Sequence, residues 1–471
     1  MRRANLIALT AAATLLGAAV LGATPALAAN GEPVFFEAPN ALLTPATRAK
    51  TITQLQSLGV HALRVIIFWR DVAPDPNGKR RPNFNQANPA AYDWGAYDPL
   101  LAAAAALHWK ILLTVSGPVP RWSTPHGEDI YSDPSAAEFG KFMEAVGRHF
   151  GKRVKLFSIW NEPNEPGFLR PQYVRGKLAS AAIYRSLFLA GYHGLQASGN
   201  FSGMTVLMGE TSPTGVVSQG VPAPLAFLRG VLCLNSNYRP VGHCTLLPAD
   251  GYAQHPYSNS RGPFWVPPAD DVTIATIGRL VNALNRAAAA HAIRPGLAVY
   301  ITEFGVQSVP NPFTGVSLAQ QAEYLAISEH IAWENPRIAS FGQYLLRDDR
   351  PAGGRVVGFQ TGLETYNGVD KPAYDGFRLP LTVTRTATGV SFWGLVRPAH
   401  GGTHVVVQYS SDSGRSWQGL AHEQTGGAGA WTGTGRFVVG RLWRVSWVSP
   451  TGQDFTGAPT RAYSTSGHLA G

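Results

Sequence analysis

From Pro33 onward, short apolar runs alternate with longer segments in which apolar residues recur every three or four positions. That alternation predicts strand-helix units repeated around a parallel sheet. Eight runs read as strands, at residues 34–36, 62–68, 110–115, 154–160, 205–209, 251–254, 297–302 and 340–345. Seven segments between or after them read as helices, at residues 44–58, 93–107, 135–150, 178–197, 224–232, 271–291 and 317–333. Some carry start signals: Thr44 stands before Pro45, and Asp133 and Pro134 stand ahead of an acidic first turn around Glu138. The count predicts a (β/α)8 TIM barrel, an α/β fold, over residues 29–380. A doubly wound open sheet competes, but no glycine-rich phosphate turn follows the first strand.

After Pro380 the period changes to two. Leu381-Thr382-Val383-Thr384, His404-Val405-Val406-Val407-Gln408-Tyr409 and Trp443-Arg444-Val445-Ser446-Trp447 alternate between Gly- and Ser-rich turns. This predicts a small all-β sandwich, Ig-like or fibronectin-like, over residues 381–464. Within it, Ser410-Ser411-Asp412-Ser413-Gly414-Arg415-Ser416-Trp417 matches a hairpin pattern of sugar-active β-proteins and reads as a turn stabiliser.

Composition changes the picture modestly. A length of 471 residues exceeds what one core supports, which suits a large unit plus a small one. The formal charge of +10 would suit nucleic acid, yet the longest basic run is Lys79-Arg80-Arg81 and no nucleic-acid fold motif is present. Nucleic-acid binding is therefore not expected, and weak attraction to acidic polysaccharides or anionic surfaces fits the charge better. Met1-Arg2-Arg3, an apolar stretch from Leu6 to Leu21 and the small-x-small site Ala26-Leu27-Ala28 read as a secretory signal peptide over residues 1–28. An uncleaved anchor is the alternative. The expectation is a secreted, extracellular monomer with no stable membrane insertion after cleavage. In an exported chain, Cys233 and Cys244 suggest one disulfide, with two buried thiols as the alternative. Only His243 lies near them, so no metal site is expected there.

The chemistry concentrates in two carboxylates. Glu162 closes Phe157-Ser158-Ile159-Trp160-Asn161-Glu162-Pro163-Asn164, and Glu303 closes Val299-Tyr300-Ile301-Thr302-Glu303-Phe304-Gly305. Both fall at carboxyl ends of strands, where a barrel builds its active face. Facing carboxylates are what cleavage of a glycosidic bond requires, one protonating the departing oxygen and the other attacking or activating water. Trp160-Asn161-Glu162-Pro163 resembles the fourth-strand signature of the clan of retaining β-glycosidases with (β/α)8 barrels, and Tyr300-Ile301-Thr302-Glu303-Phe304-Gly305 resembles its seventh-strand signature. The cellulase-like and xylosidase-like families are most similar.

The resemblance covers roughly residues 33–380 and implies roles. Glu162 would be the acid/base, Glu303 the nucleophile, and Asn161 a ligand of the sugar 2-hydroxyl. Arg64 resembles the second-strand arginine that keeps the nucleophile ionised. His255-Pro256-Tyr257 resembles the sixth-strand element whose tyrosine touches the nucleophile. Trp69, Trp122, Trp160 and Trp265 fall near strand ends, where flat rings could stack on sugars. Glu165 repeats the Asn-Glu-Pro pattern and reads as a loop carboxylate, while Glu210 could bind a hydroxyl or pair with a basic neighbour. The family often carries a tryptophan on the eighth strand, where this chain has Gln343-Tyr344. Loops at residues 75–88 and 261–271 would narrow the mouth. The expected substrate is carbohydrate, with no cofactor or metal. Two alternatives stay open: an α-L-arabinofuranosidase of the same clan, and a catalytically silent polysaccharide-binding barrel.

Overall fold

The computed structural model describes residues 33–351, 358–399 and 401–464; the expected signal peptide lies outside them. Eight parallel strands close into a barrel in chain order: β1 (Val34–Glu37), β2 (Ala62–Phe68), β3 (Lys110–Ser116), β4 (Leu156–Ile159), β5 (Thr205–Thr211), β6 (Gly251–Gln254), β7 (Ala298–Ile301) and β8 (Ile338–Tyr344), which pairs back onto β1. Around it run α1 (Pro45–Ser57), α2 (Asp98–Ala106), α3 (Ala136–Phe150), α4 (Ser180–Ala197), α5 (Pro224–Val231), α6 (Ile277–Ala289), α7 (Leu318–Trp333) and α8 (Pro372–Arg378). No helix among the described residues is long and apolar enough to cross a membrane.

Strand alternation sorts the side chains. On β2, Leu63, Val65 and Ile67 join the layer between sheet and helices, whereas Ala62 packs with Phe35, Leu112, Leu207 and Ala253 as an apolar floor inside the barrel. Arg64 follows Ala62 on the same inner face, and Ile66 and Phe68 reach the mouth. The barrel interior therefore runs from apolar floor to charged middle to open cleft. Gly342 is fixed by the closeness of β8 to β7, since a Cβ there would lie 2.9 Å from the backbone of Glu303.

Several boundaries differ from the expected ones for local reasons. Strand β4 stops at Ile159 because Trp160 takes φ +74° and leaves the extended path. Helix α2 starts at Asp98, with a proline in its first positions, and α6 starts at Ile277 after a 3-10 turn capped by Thr273 and Thr276. Thr44 precedes α1 but spends its hydroxyl on the Asn40 carbonyl at 2.7 Å. Helix α3 is capped by Ser135, not Asp133, through a hydrogen bond from Glu138 N–H. The short α8 was not expected.

Two four-stranded sheets follow. One orders β13 (Ala430–Gly435), β10 (Val390–Leu395), β9 (Leu381–Arg385) and β16 (Ala462–Ser464); the other orders β12 (Gln418–Gln424), β11 (His404–Ser410), β14 (Leu442–Val448) and β15 (Asp454–Thr456). Their inner faces share a core that includes Val383, Phe392, Val405, Val407, Trp431, Trp443 and Trp447. In the Ser410–Trp417 hairpin, Asp412 Oδ1 accepts from Ser416 N–H at 2.9 Å and from Ser410 Oγ at 2.6 Å, and Trp417 Nε1 donates to the Gly414 carbonyl at 3.1 Å. The motif stabilises its own turn, as the sequence suggested.

The sandwich docks on α7. Glu323 accepts from Arg461 through Nε at 2.9 Å and Nη2 at 2.7 Å, Glu329 pairs with Arg397, and His330 stacks on Trp393 with centroids 4.6 Å apart. Cys233 and Cys244 are joined in a disulfide that closes the loop between α5 and β6.

Candidate active site

The site is organised around one buried cation. Arg64, fully buried, donates from Nη1 to Glu37 Oε2 and Glu303 Oε1, each at 2.5 Å. Its Nη2 donates to Glu210 Oε2 at 2.8 Å and Asn161 Oδ1 at 2.6 Å, and its Nε reaches Thr114 Oγ1 at 3.2 Å. A guanidinium offers five donors in a planar fork, which is why one side chain can hold several carboxylates. Glu37 ends β1, Glu210 lies in β5 and Glu303 follows β7, so three strands converge on it. Of the two uses open to Glu210, the structure shows pairing with a basic neighbour.

The opposite carboxylate is set by unusual backbone. Trp160, Glu162 and Glu210 all have positive φ, at +74°, +41° and +49°. Such angles cost a non-glycine residue about 1–2 kcal/mol each. Tertiary bonds hold them: Glu162 N–H donates to the Glu210 carbonyl at 3.0 Å, and Asn161 N–H to Ser116 Oγ at 3.0 Å. Glu162, His255 and Glu303 consequently present acceptor atoms within 4.8 Å of one another. His255 Nδ1 lies 3.0 Å from Glu162 Oε1 and 3.6 Å from Glu303 Oε2, and the Tyr257 hydroxyl donates to Glu303 Oε2 at 3.0 Å.

These surroundings drive the two carboxyls apart. Burial pushes Glu303 up, but the charges of His255 and Arg64 and hydrogen bonds from Tyr257 and Arg64 outweigh it and hold the group below the usual carboxylate range. Burial also pushes Glu162 up; His255 opposes this, the negative Glu303 reinforces it, and the result stays raised. One group is thus kept ionised and the other kept able to hold a proton. The His255 ring is itself raised, since the two glutamates overcome the effect of burial. Glu162, His255 and Glu303 are close enough to share a cation, but a cation there would stand beside the Arg64 guanidinium, which already binds Glu303, and Glu303 also accepts from Tyr257. The cluster suits proton transfer better than metal binding.

Glu37 was missed by sequence reasoning, although it too is a carboxylate closing an apolar run. Burial pushes its carboxyl up to about 8, with Arg64 opposing and Glu303 adding to the rise. The folded chain therefore keeps a proton that the unfolded chain releases near pH 4.5. Stability from this group is fully present below that pH and is lost as pH rises toward 8. Thermal midpoints measured between pH 5 and 8 are expected to fall with rising pH less steeply in Glu37→Gln than in the parent; parallel slopes would contradict this.

Above the cluster opens a cleft of about 850 Å³, a volume typical of small-ligand sites. Its walls include Glu37, Asp71, Asn161, Glu162, Glu165 and Glu303 among polar groups, and Phe68, Tyr97, Phe168, Tyr257, Tyr344 and Phe359 among aromatic ones. Asn161, with Oδ1 bound to Arg64, lies in the cleft wall. Arg64 and His255 are wholly buried and act through the glutamates.

The four tryptophans do not line this cleft. Trp69 follows Phe68 out of phase by one residue, so it turns away from the barrel and stacks on Phe142 of α3 at 5.3 Å, with Trp122 edge-on at 5.6 Å. Trp122 Nε1 donates to the Pro74 carbonyl, and Trp160 is buried against Phe139. Trp265 lies outside the cleft wall under Arg261, at 4.8 Å. The aromatic surfaces that do face the cleft are phenylalanines and tyrosines. Glu165 lies on a loop, as the sequence suggested, and forms part of the wall.

No protein-family model matches the sequence, and no curated protein does. Among solved structures, a glucosidase from Croceicoccus marinus superposes with a TM-score of 0.52 at 13% identity, covering 89% of this chain and 98% of that one. A family 39 glycoside hydrolase from Bacteroides cellulosilyticus WH2 superposes with a TM-score of 0.51 at 15% identity, covering 86% and 81%. At such identities the likeness is one of architecture, and by it and by its own closed parallel sheet the chain is a (β/α)8 barrel carrying a C-terminal β domain.

Proposed function

We propose that the chain is a retaining glycoside hydrolase that cleaves β-linked oligo- or polysaccharides by double displacement. The observation that carries this reading is the separation of Glu162 and Glu303, whose facing oxygens lie within 4.8 Å. That spacing fits direct attack, for which carboxyls stand about 5 Å apart, and leaves no room for the water that an inverting pair encloses at about 6.5–9.5 Å. Glu303, ionised, attacks the anomeric carbon while Glu162 gives its proton to the departing oxygen. A glycosyl ester on Glu303 results. Glu162, now charged, takes a proton from water, which cleaves the ester and restores both groups. To Asn161, which lies in the cleft wall, we assign binding of the 2-hydroxyl beside the reacting carbon. The two structural neighbours, a glucosidase and a glycoside hydrolase, agree with this chemistry. The leader-like residues 1–28 support an exported enzyme meeting its carbohydrate outside the cell.

A panel of aryl β-glycosides, aryl α-L-arabinofuranosides and plant polysaccharides tests the reading, with product configuration followed by NMR. Hydrolysis with retention is expected. In Glu162→Ala, activity on glycosides with poor leaving groups should drop about 10²- to 10⁴-fold, with a much smaller loss on activated aryl glycosides. Equal losses across leaving groups would remove Glu162 from the acid role. An inert chain that still retains polysaccharide would favour the binding-barrel alternative.

A further inference from the structure

The segment after β4 continues as two successive tight turns. Glu165 N–H donates to the Glu162 carbonyl at 2.8 Å, and Phe168 N–H donates to the Glu165 carbonyl at 3.0 Å. Three-residue spacing brings side chains onto one side of such a segment. Glu162, Glu165 and Phe168 accordingly form a ridge along one wall of the cleft. Ser212 and Pro213, from the loop after β5, line it alongside. The two loops are locked together: Ser212 N–H donates to Asn164 Oδ1 at 2.9 Å, and Asn164 Nδ2 donates to Ser212 Oγ at 2.8 Å. Glu165 is thus carried on a fixed frame.

If Glu162 delivers a proton to the departing oxygen, the leaving group must lie on the Glu162 side of the scissile bond. The ridge then abuts the leaving group. We propose that Glu165, with Phe168 and Ser212, forms a leaving-group subsite for a saccharide, and that Glu165 is a specificity residue hydrogen-bonding a hydroxyl of that second sugar. This rests on the glycosidase reading and sharpens it, because it assigns the enzyme to bonds between sugars in preference to simple aglycones. An aromatic face beside a polar group is the combination that a sugar's apolar face and hydroxyl rim require. Burial pushes the Glu165 carboxyl up to about 7, against the hydroxyl of Ser212 and with the charge of Glu162, so near neutrality it can donate as well as accept. The partner of the Glu165 carboxyl is the Ser212 hydroxyl, itself in the cleft wall, and the residue is half-buried there.

The test compares kcat/KM for a β-linked disaccharide with that for the p-nitrophenyl β-glycoside of the same glycone. In Glu165→Met, which keeps the bulk and loses the polar atoms, the ratio of disaccharide to aryl activity should fall about tenfold. Glu165→Gln, which keeps a donor and an acceptor, should recover most of it. Bulk alone would make the two variants alike, which would overturn the inference, as would an unchanged ratio in Glu165→Met. Should Glu165→Met lose the parent's thermal transition, Phe168→Ala carries the same ratio test. A parent chain inert toward every glycoside overturns the glycosidase reading and this inference together, whereas an active parent with an unmoved ratio overturns this inference alone.

Discussion

Replacing Glu303 by alanine is expected to lower glycoside hydrolysis by about four orders of magnitude or more, the scale seen when an enzyme loses its nucleophile. Azide, small enough to enter the space left by the carboxylate, should restore part of the activity on an activated aryl glycoside and give a glycosyl azide of inverted configuration. Arg64, Tyr257 and His255 remain around the vacated position, and Glu162 no longer faces a negative neighbour. Its carboxyl should titrate lower, since the charge of Glu303 is one of the influences that raise it. Full activity in the alanine variant would end the assignment of Glu303 as nucleophile. Rescue with retained configuration would place another nucleophile in the site.

The second large effect concerns Arg64. Removing the guanidinium leaves Glu37, Glu210 and Glu303 buried about an empty centre. Breaking a buried ion pair by deleting one partner costs about 3–5 kcal/mol, and here a single deletion removes a hydrogen-bond donor from Glu37, Glu210 and Glu303 together. Arg64→Met should therefore lower the thermal midpoint by more than about 5 °C. If the variant folds, the acid side of its pH profile should move upward, because Arg64 is among the groups that hold Glu303 low. An unchanged midpoint measured by calorimetry would mean that the carboxylates are satisfied by something other than Arg64. Lysine is not expected to restore the parent, since it lacks the fork that reaches Glu37, Glu210, Glu303 and Asn161 together.

The barrel was legible because its strands are mostly buried apolar runs and the segments between them are long enough for helices. All eight expected strand regions lie in the closed sheet. Glu162 and Glu303 were legible for a related reason: a carboxylate ending an apolar run has to face something worth its desolvation. Glu37 bears the same signature and was passed over because its run, Val34-Phe35-Phe36, is so short. The tryptophans were misplaced by phase. Proximity to a strand end does not say which face a residue occupies, and one step along the chain sends Phe68 into the cleft and Trp69 into the helix layer. Glu165 was legible as a loop carboxylate but not as part of the cleft wall. Its direction is set by left-handed backbone at Trp160 and Glu162, and periodicity carries no information about a bend of that kind.

The way the sandwich grips α7 bears on whether the barrel can stand alone. Glu323 and Glu329 are buried on the barrel's own helix, yet their cationic partners, Arg461 and Arg397, come from the C-terminal unit, and so does the indole that covers His330. Without the sandwich, α7 would present two carboxylates stripped of their guanidinium partners and an imidazole stripped of its covering ring. The helix is finished by the second unit, so the barrel alone is an incomplete fold at this seam.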